Sequence, residues 1–202
     1  MGYLTNWDFP PSFTDRFPII VETGYGGGHG LTHAASYPFR KIISLEIVPE
    51  LAAQGRLRHA PDDRVTVYTG ESPYLLSQLL PALGGGIFFW LDAHFPGFDF
   101  GAPFQGEIDE AVQRPLFQEL EVIRANINPG KYALLIDDLT LFWNEGPWEK
   151  SIRDEWGCML APKQGLGFLD PFLETHTVTA YANNLGCAWV LPRGAPAPAW
   201  VE

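Results

Sequence analysis

Between residues 17 and 30 the chain reads FPIIVETGYGGGHG. The first residues of this stretch are apolar and partly β-branched, which is typical of a buried parallel strand. Five glycines follow, and the residues after them are expected to begin a helix. Glycines at this point allow a tight turn and let backbone N–H groups approach a ligand closely. The stretch therefore predicts a strand, a glycine loop and a helix start, which is the nucleotide-binding unit of doubly wound α/β folds.

Glu22 stands where this strand meets the glycine loop. A carboxylate there repels a pyrophosphate but attracts a cationic or hydroxyl-bearing ligand. The alternative is that the glycines simply form a turn between a strand and a helix. Glu22 therefore favours a ligand without a phosphate at this loop.

The composition indicates an acidic protein with enough apolar residues for a complete core. The chain has 202 residues, of which 46% are hydrophobic, and a net charge of −11. An acidic surface disfavours nucleic-acid phosphates and anionic membranes as partners. The sequence contains no apolar run of membrane-spanning length and no basic leader, and its two cysteines are too few for a disulfide scaffold. We expect one cytoplasmic domain over residues 1–202, with a core at about 17–192 and an irregular lead-in at 1–16.

Apolar runs alternate with helical patterns along the chain. Strands are predicted at residues 18–23, 41–46, 64–69, 87–92 and 132–138, and helices at 29–37, 50–58, 74–83 and 115–127. Two further strands, at 175–181 and 187–191, are expected to form a hairpin. This order predicts an α/β fold: a Rossmann-like three-layer sandwich with a mostly parallel seven-stranded sheet and a C-terminal antiparallel hairpin. The run at 87–92 is the most apolar, so we place it at the sheet centre.

The connecting segments carry predictions of their own. Pro10 and Pro11 are expected to prevent a helix in the lead-in, and Ser72 is expected to cap the helix that follows it. The 22 residues at 93–114 are too many for a simple connection, so they predict a functional or mobile loop. Its aromatic side chains suit an acceptor pocket, a lid or a dimer interface. The proline-rich tail at 192–198 is expected to be disordered or packed against an edge.

Acidic residues follow one strand after another, at the edge where ligands of parallel sheets bind. They are Glu22, Glu46, Glu71, Asp92, Asp137 and Asp138. This number exceeds what scattered surface acids would give, so the set predicts a binding site. Glu46 is placed to accept hydrogen bonds from ribose hydroxyls, as in enzymes that use NAD or S-adenosylmethionine (SAM).

The glycine spacing separates these two cofactors. An NAD site requires G-x-G-x-x-G with a phosphate at the helix start, and the third glycine counted from Gly24 falls on His29. The chain instead reads Glu22-x-Gly24-x-Gly26-x-Gly28, the spacing of class I SAM-dependent methyltransferases. SAM contains no phosphate and carries a sulfonium and an ammonium group, which suit a strand that ends in a carboxylate.

Further motifs extend this resemblance over about residues 17–145. In chain order they are VETG at 21–24, SLE at 44–46, GES at 70–72, FWLDAH at 89–94 and LIDD at 135–138. Together they resemble a group of small class I methyltransferase-like proteins, similar to the macrocin O-methyltransferase and cephalosporin hydroxylase-type families. The resemblance implies SAM as the cofactor and the following contacts: Glu22, Gly24 and Gly26 at its methionine part, Glu46 at the ribose, Glu71 and Ser72 at the adenine edge, with Gly28 and Asp92 as further cofactor-binding residues.

The resemblance also implies a metal site. Asp92, Asp137 and Asp138 match acids that bind a divalent metal in macrocin-type enzymes, and such carboxylates suit Mg²⁺, Mn²⁺ or Ca²⁺. Asp92 and His94 are the expected catalytic residues, with His94 as the general base or as a further ligand. The chain departs from the family because the next acid after Asp92 is Asp99. The pair at 137–138 also suits a turn cap.

Three functions follow from these observations. The first is a SAM-dependent O-methyltransferase that acts on a hydroxyl of a small molecule of the sugar or natural-product type. The second is an NAD-type oxidoreductase, and the third is a non-enzymatic protein that kept the fold. The expected partner is a small-molecule acceptor, with neither nucleic acid nor membrane, and a homodimer is an open alternative to a monomer.

Overall fold

The structure is a computed structural model that describes residues 3–84, 86–94, 112, 114–143, 165–182 and 185–201. The strands of this part of the chain are β1 (Trp7–Asp8), β2 (Ile19–Thr23), β3 (Lys41–Glu46), β4 (Val65–Thr69), β5 (Ile87–Leu91), β6 (Tyr132–Ile136), β7 (His176–Tyr181), β8 (Cys187–Pro192) and β9 (Ala199–Trp200). The α-helices are α1 (Pro11–Arg16), α2 (His29–Ala35), α3 (Pro49–His59), α4 (Ser72–Leu83) and α5 (Leu116–Asn126). Short 3-10 helices lie at Tyr3–Asn6, Pro129–Lys131, Leu139–Leu141 and Leu166–Phe172.

One sheet contains seven of these strands, in the order β4-β3-β2-β5-β6-β8-β7. The strands from β4 to β6 in that order are parallel, and β8 pairs antiparallel with both β6 and β7. The predicted mostly parallel sheet with an antiparallel hairpin is therefore confirmed. The chain order reverses between β2 and β5, so the carboxyl ends of these strands flank the crevice where open α/β sheets bind ligands.

Each face of the sheet carries its own buried core, because side chains alternate across a strand. On one face Val21 and Phe89 pack with apolar residues of α4 and α5. On the other face Ile20 and Phe88 pack with residues of α1, α2 and α3. Helices thus cover both faces, which confirms the predicted three-layer sandwich.

The central strand is β5, as its apolar sequence predicts. Each of its five residues is 3% exposed or less. Fully burying one large apolar side chain contributes roughly 1.5–3 kcal/mol, so this strand is a major source of stability. Asp92 follows it directly and His94 lies two residues further, at the middle of the edge where such sheets bind ligands.

The prediction of an irregular lead-in was wrong. Trp7 and Asp8 pair antiparallel with Trp200 and Ala199, and α1 begins at Pro11. Pro10 and Pro11 do not prevent this helix, because a proline in the first turn lacks only an N–H that would have no partner inside the helix. Trp7 is 2% exposed, so the lead-in forms part of the core.

The tail at 192–198 leads from β8 into β9, which joins the two-stranded sheet with β1. The predictions for residues 95–111, for the aromatic side chains there and for the turn at 183–184 lie outside the described residues. Within the described ranges, no helix combines the length and the apolar character that crossing a lipid bilayer requires.

Candidate cofactor and catalytic site

The carboxyl ends of the parallel strands meet at one edge through backbone hydrogen bonds. The Gly24 N–H donates to the Leu45 carbonyl at 2.8 Å, and the Asp92 N–H donates to the Thr23 carbonyl at 3.2 Å. The Asp137 N–H in turn donates to the Leu91 carbonyl at 3.0 Å. The acids at these strand ends are thereby brought to a single edge of the sheet.

The loop after β2 requires glycine at several positions. Gly24, Gly26 and Gly28 have φ values of 84°, 49° and 73°, which favour a residue without a Cβ. A Cβ on Gly24 would also lie 2.9 Å from the Asp92 carbonyl oxygen. The glycine loop therefore packs directly against the end of β5.

Glu46 holds this loop in place. Its Oε2 accepts hydrogen bonds from the backbone N–H groups of Tyr25 at 3.0 Å and Gly26 at 3.1 Å, and its Oε1 accepts one from Val48 at 2.8 Å. A carboxylate offers about four acceptor positions, so about one remains on Oε1. Glu46 can thus accept one ribose hydroxyl without breaking its bonds to the loop.

Glu22 lies beneath the loop and is 1% exposed. The Ser44 hydroxyl donates a hydrogen bond to its Oε2. Burial raises the pKa of Glu22 to about 8, with a smaller contribution from the negative charge of Glu46. Glu22 is thus mostly protonated at neutral pH and does not offer the anionic charge that its place in the sequence suggests.

Tyr25 and Arg58 support the loop from the side of α3. Neither role was predicted from the sequence. The Tyr25 ring is 3% exposed and fills the space beside Gly55, where an added Cβ would lie 3.1 Å from it. The Arg58 guanidinium donates to the Gly27 carbonyl at 2.6 Å. The glycine loop is therefore fixed from two sides, by Glu46 and by this pair.

Three polar residues converge after β5 and β6. His94 Nε2 lies 3.0 Å from Asp138 Oδ2, and His94 Nδ1 lies 3.8 Å from Asp92 Oδ1. One ligand atom from each residue lies within 4.8 Å of the others. Their side chains are 14–20% exposed, so this cluster of Asp92, His94 and Asp138 is reachable from solvent.

Asp137 does not join this cluster, although the metal prediction included it. Its side chain is 3% exposed, and its Oδ1 accepts a hydrogen bond from the Asp138 N–H at 2.9 Å. Asp138 has a φ of 49° and is the one non-glycine residue with positive φ in the described ranges. This backbone conformation costs of order 1–3 kcal/mol and directs the second acid of the pair, rather than the first, toward His94.

The cluster favours a positive charge. Burial raises the pKa of Asp92 well above its ordinary value, and the nearby carboxylates of Asp137 and Asp138 raise it further. A cation bound here would reduce this repulsion. The site can therefore stabilise a sulfonium, an ammonium or a metal ion.

Ser72 is not the N-cap of α4, which corrects the sequence prediction. The cap position is Glu71, which is exposed and makes no side-chain cap hydrogen bond. Ser72 is 6% exposed, and its hydroxyl donates to Glu119 on α5 instead. Glu119 accepts the Ser72 hydroxyl, so Ser72 faces the protein interior, and of these two residues after β4 only Glu71 is exposed.

Neither a protein-family model nor a curated protein sequence matches the chain. Solved structures do match. A methyltransferase of Podospora anserina bound to S-adenosylhomocysteine (SAH) is 18% identical, with a TM-score of 0.55 over 90% of this chain and 76% of that protein. An O-methyltransferase of Bacillus cereus in complex with SAH is 16% identical, with a TM-score of 0.55 over 92% and 83%. Human N-acetylserotonin methyltransferase in complex with SAM is 16% identical, with a TM-score of 0.58 over 95% of this chain and 50% of that protein. At these identities the shared property is the fold, which is that of class I SAM-dependent methyltransferases.

Proposed function

We propose that this protein, which has the fold of class I SAM-dependent methyltransferases, binds SAM and methylates a hydroxyl of a small molecule of the sugar or natural-product type. The observation that carries the proposal is the contact between Glu46 and the glycine loop at the reversal point of the sheet. Open α/β sheets bind nucleosides at that point, and the acid after the second parallel strand suits a ribose hydroxyl. Residues 24–28 of the loop carry no basic side chain, and the Arg58 guanidinium beside them already donates to the Gly27 carbonyl.

The charges near the loop agree with SAM as the ligand. The cofactor brings a sulfonium and an ammonium, and the acids around Asp92 repel one another when no cation is present. The SAM ribose would contact Glu46, and its adenine would lie toward the exposed Glu71. Its methionine part would lie over the glycine loop toward Asp92.

Methyl transfer is an in-line displacement, and its rate depends mainly on alignment. The acceptor oxygen forms a bond to the methyl carbon while the bond from that carbon to sulfur breaks, and SAH leaves as a neutral thioether. The hydroxyl proton passes to His94. Asp138 accepts a hydrogen bond from Nε2–H of His94 at 3.0 Å, which leaves Nδ1 as the base and stabilises the imidazolium that forms.

The same three residues fit a divalent ion as an alternative. Asp92 and Asp138 supply carboxylate oxygens and His94 an imidazole nitrogen, with donor atoms close enough to share one ion. The nitrogen makes the set less suited to Mg²⁺ and Ca²⁺, which prefer oxygen ligands, than the three carboxylates of the sequence prediction. A bound ion would lower the pKa of the acceptor hydroxyl.

The cofactor is tested by isothermal titration with SAH and, in parallel, with NAD. Wild type is expected to bind SAH, and Glu46→Gln is expected to bind it about 10- to 100-fold more weakly, because a hydrogen bond to a charged group contributes about 1.5–3 kcal/mol. Glu50→Gln is the matched control, since Glu50 is exposed on α3. Binding of NAD without SAH would overturn the proposal.

Catalysis is tested by SAH release with a panel of monosaccharides and phenols, with and without EDTA. His94→Gln is expected to keep SAH binding and to lose turnover by about 10²- to 10⁴-fold, the usual contribution of acid–base catalysis. Asp92→Asn is expected to lose turnover as well and also to bind SAH more weakly, because Asp92 lies where the methionine part would bind. Loss of turnover in EDTA that Mn²⁺ restores would assign the cluster to a metal. Full turnover in both variants would refute the catalytic assignment.

A further inference from the structure

Glu119 is an acid on the buried face of α5. It is 1% exposed and lies among Leu116, Leu120 and Ile123, which pack into the core at helical spacing. A carboxyl group in such a place is costly unless hydrogen bonds compensate for the lost water. Burial raises the pKa of Glu119 to about 7, while the hydrogen bond from Ser72 and the nearby Thr23 hydroxyl lower it.

These two hydroxyls belong to different sides of the candidate cofactor site. Ser72 begins α4, next to the exposed Glu71, and donates to Oε1 of Glu119. Thr23 is the last residue of β2 and directly precedes Gly24. The Thr23 Oγ1 also accepts a hydrogen bond from the Asp92 N–H at 3.3 Å.

The sheet alone does not fix these two sides relative to each other. Thr23 ends β2 and Ser72 follows β4, and β3 lies between those strands. Glu119 spans this separation from α5, which packs against α4. Through Thr23 the same network reaches the backbone of Asp92, at the centre of the proposed catalytic cluster.

We propose that Glu119 is a positioning residue, which accepts a hydrogen bond from Ser72 and lies beside Thr23, and thereby holds the adenine side of the cofactor pocket in register with the methionine side. This inference rests on the proposed function. Glu119 does not touch the cofactor and acts through the two hydroxyls. Its removal therefore weakens cofactor binding without removing any direct contact.

The test compares SAH affinity with stability in the same variants. Glu119→Leu is expected to weaken SAH binding about tenfold. Its free energy of unfolding in urea is expected to fall, because the buried Ser72 hydroxyl loses its acceptor, so the affinity is measured under conditions where the variant is fully folded. Glu119→Gln keeps an acceptor oxygen and is expected to restore most of the affinity. Glu121→Gln, on the exposed side of α5, is the matched control.

The outcomes separate this inference from the proposed function. If wild type does not bind SAH, the proposed function fails, and the inference fails with it. If wild type binds SAH and Glu119→Leu binds it within twofold of wild type, only the inference fails. A Glu119→Leu variant that loses affinity and stability together, with no recovery in Glu119→Gln, would assign Glu119 a purely structural role and overturn the inference.

Discussion

The buried carboxyl of Glu22 should make the stability of this protein fall as the pH rises. Its pKa is 4.5 in an unfolded chain and about 8 in the fold, because burial disfavours the charged form. A carboxyl with a raised folded pKa binds its proton more tightly in the native state. Its contribution is therefore fully present below about pH 4.5 and is lost progressively as the pH rises to about 8.

The size of this loss follows from the two pKa values. Each unit of pKa difference corresponds to roughly 1.4 kcal/mol, so the interval from 4.5 to about 8 gives at most about 5 kcal/mol. That amount is comparable with the whole stability of many domains, which is about 5–15 kcal/mol. A loss of this size is large enough to measure by urea unfolding.

Glu22→Gln isolates the effect, because glutamine has nearly the same shape and can still accept the hydrogen bond from Ser44. The free energy of unfolding is measured in urea at pH 5, 7 and 9 for wild type and for this variant. Between pH 5 and pH 9 we expect the free energy of unfolding of the variant, relative to that of wild type, to rise by several kcal/mol. Glu119 also has a raised pKa, so the wild-type profile alone does not identify Glu22, whereas the difference between the two proteins does. Glu50→Gln, at an exposed site, controls for the loss of a charge. A difference between wild type and Glu22→Gln that does not change with pH would refute the reasoning.

Two further predictions concern the backbone near the site. Gly30→Ala would place a Cβ 1.5 Å from the Trp90 ring, so we expect its free energy of unfolding in urea to fall by about 3 kcal/mol or more. In the control variant Gly130→Ala the added Cβ meets no atom within 4 Å, so the free energy of unfolding should change by less than about 0.5 kcal/mol. Equal effects in the two variants would contradict the predicted clash. Asp138→Gly relieves a positive φ, but glycine loses more conformational entropy on folding, so the two effects offset and we expect stability to change by less than about 1 kcal/mol. Turnover, followed by SAH release, is expected to fall because His94 loses its partner, and unchanged turnover would exclude a role for that contact.

The sheet could be predicted because its signals are local. The strands from β2 to β6 are short apolar runs, and glycine or proline lies near most of their ends. The run at Ile87–Leu91 is the most apolar of them, and it occupies the central position. The proline at 49 likewise marks the start of a helix.

The predictions for Ser72 and for the lead-in were wrong because the partners of these residues lie far away in the sequence. Ser72 has the sequence of an N-cap, but Glu119, 47 positions later, takes its hydroxyl. The lead-in has no pattern of its own, since its partner strand lies near residue 200. A signal for Glu119 was present, however: it interrupts the apolar stripe formed by Leu116, Leu120 and Ile123, where an acid requires a partner.

The sequence also could not indicate which of two neighbouring acids contacts His94. Asp137 and Asp138 have the same side chain, and only the φ of 49° at Asp138 decides which carboxylate reaches His94. Glu22 and Glu46 present a similar case. Both follow apolar runs and both are buried, yet the pKa of Glu22 is raised, whereas Glu46 accepts three backbone hydrogen bonds.

The pairing of β1 with β9 has a consequence for how the chain reaches its native state. Trp7 packs edge-to-face with Tyr181, Trp189 and Trp200, all of which leave the ribosome long after it does. Closing a loop of that length from a flexible chain costs on the order of 5 kcal/mol, so the contact becomes favourable only after the sheet has brought its ends together. During synthesis the Trp7 ring therefore lacks these three partners until the hairpin of β7 and β8 is made. In that interval the nascent protein exposes apolar surface, and chaperone binding or aggregation competes with the last step of folding.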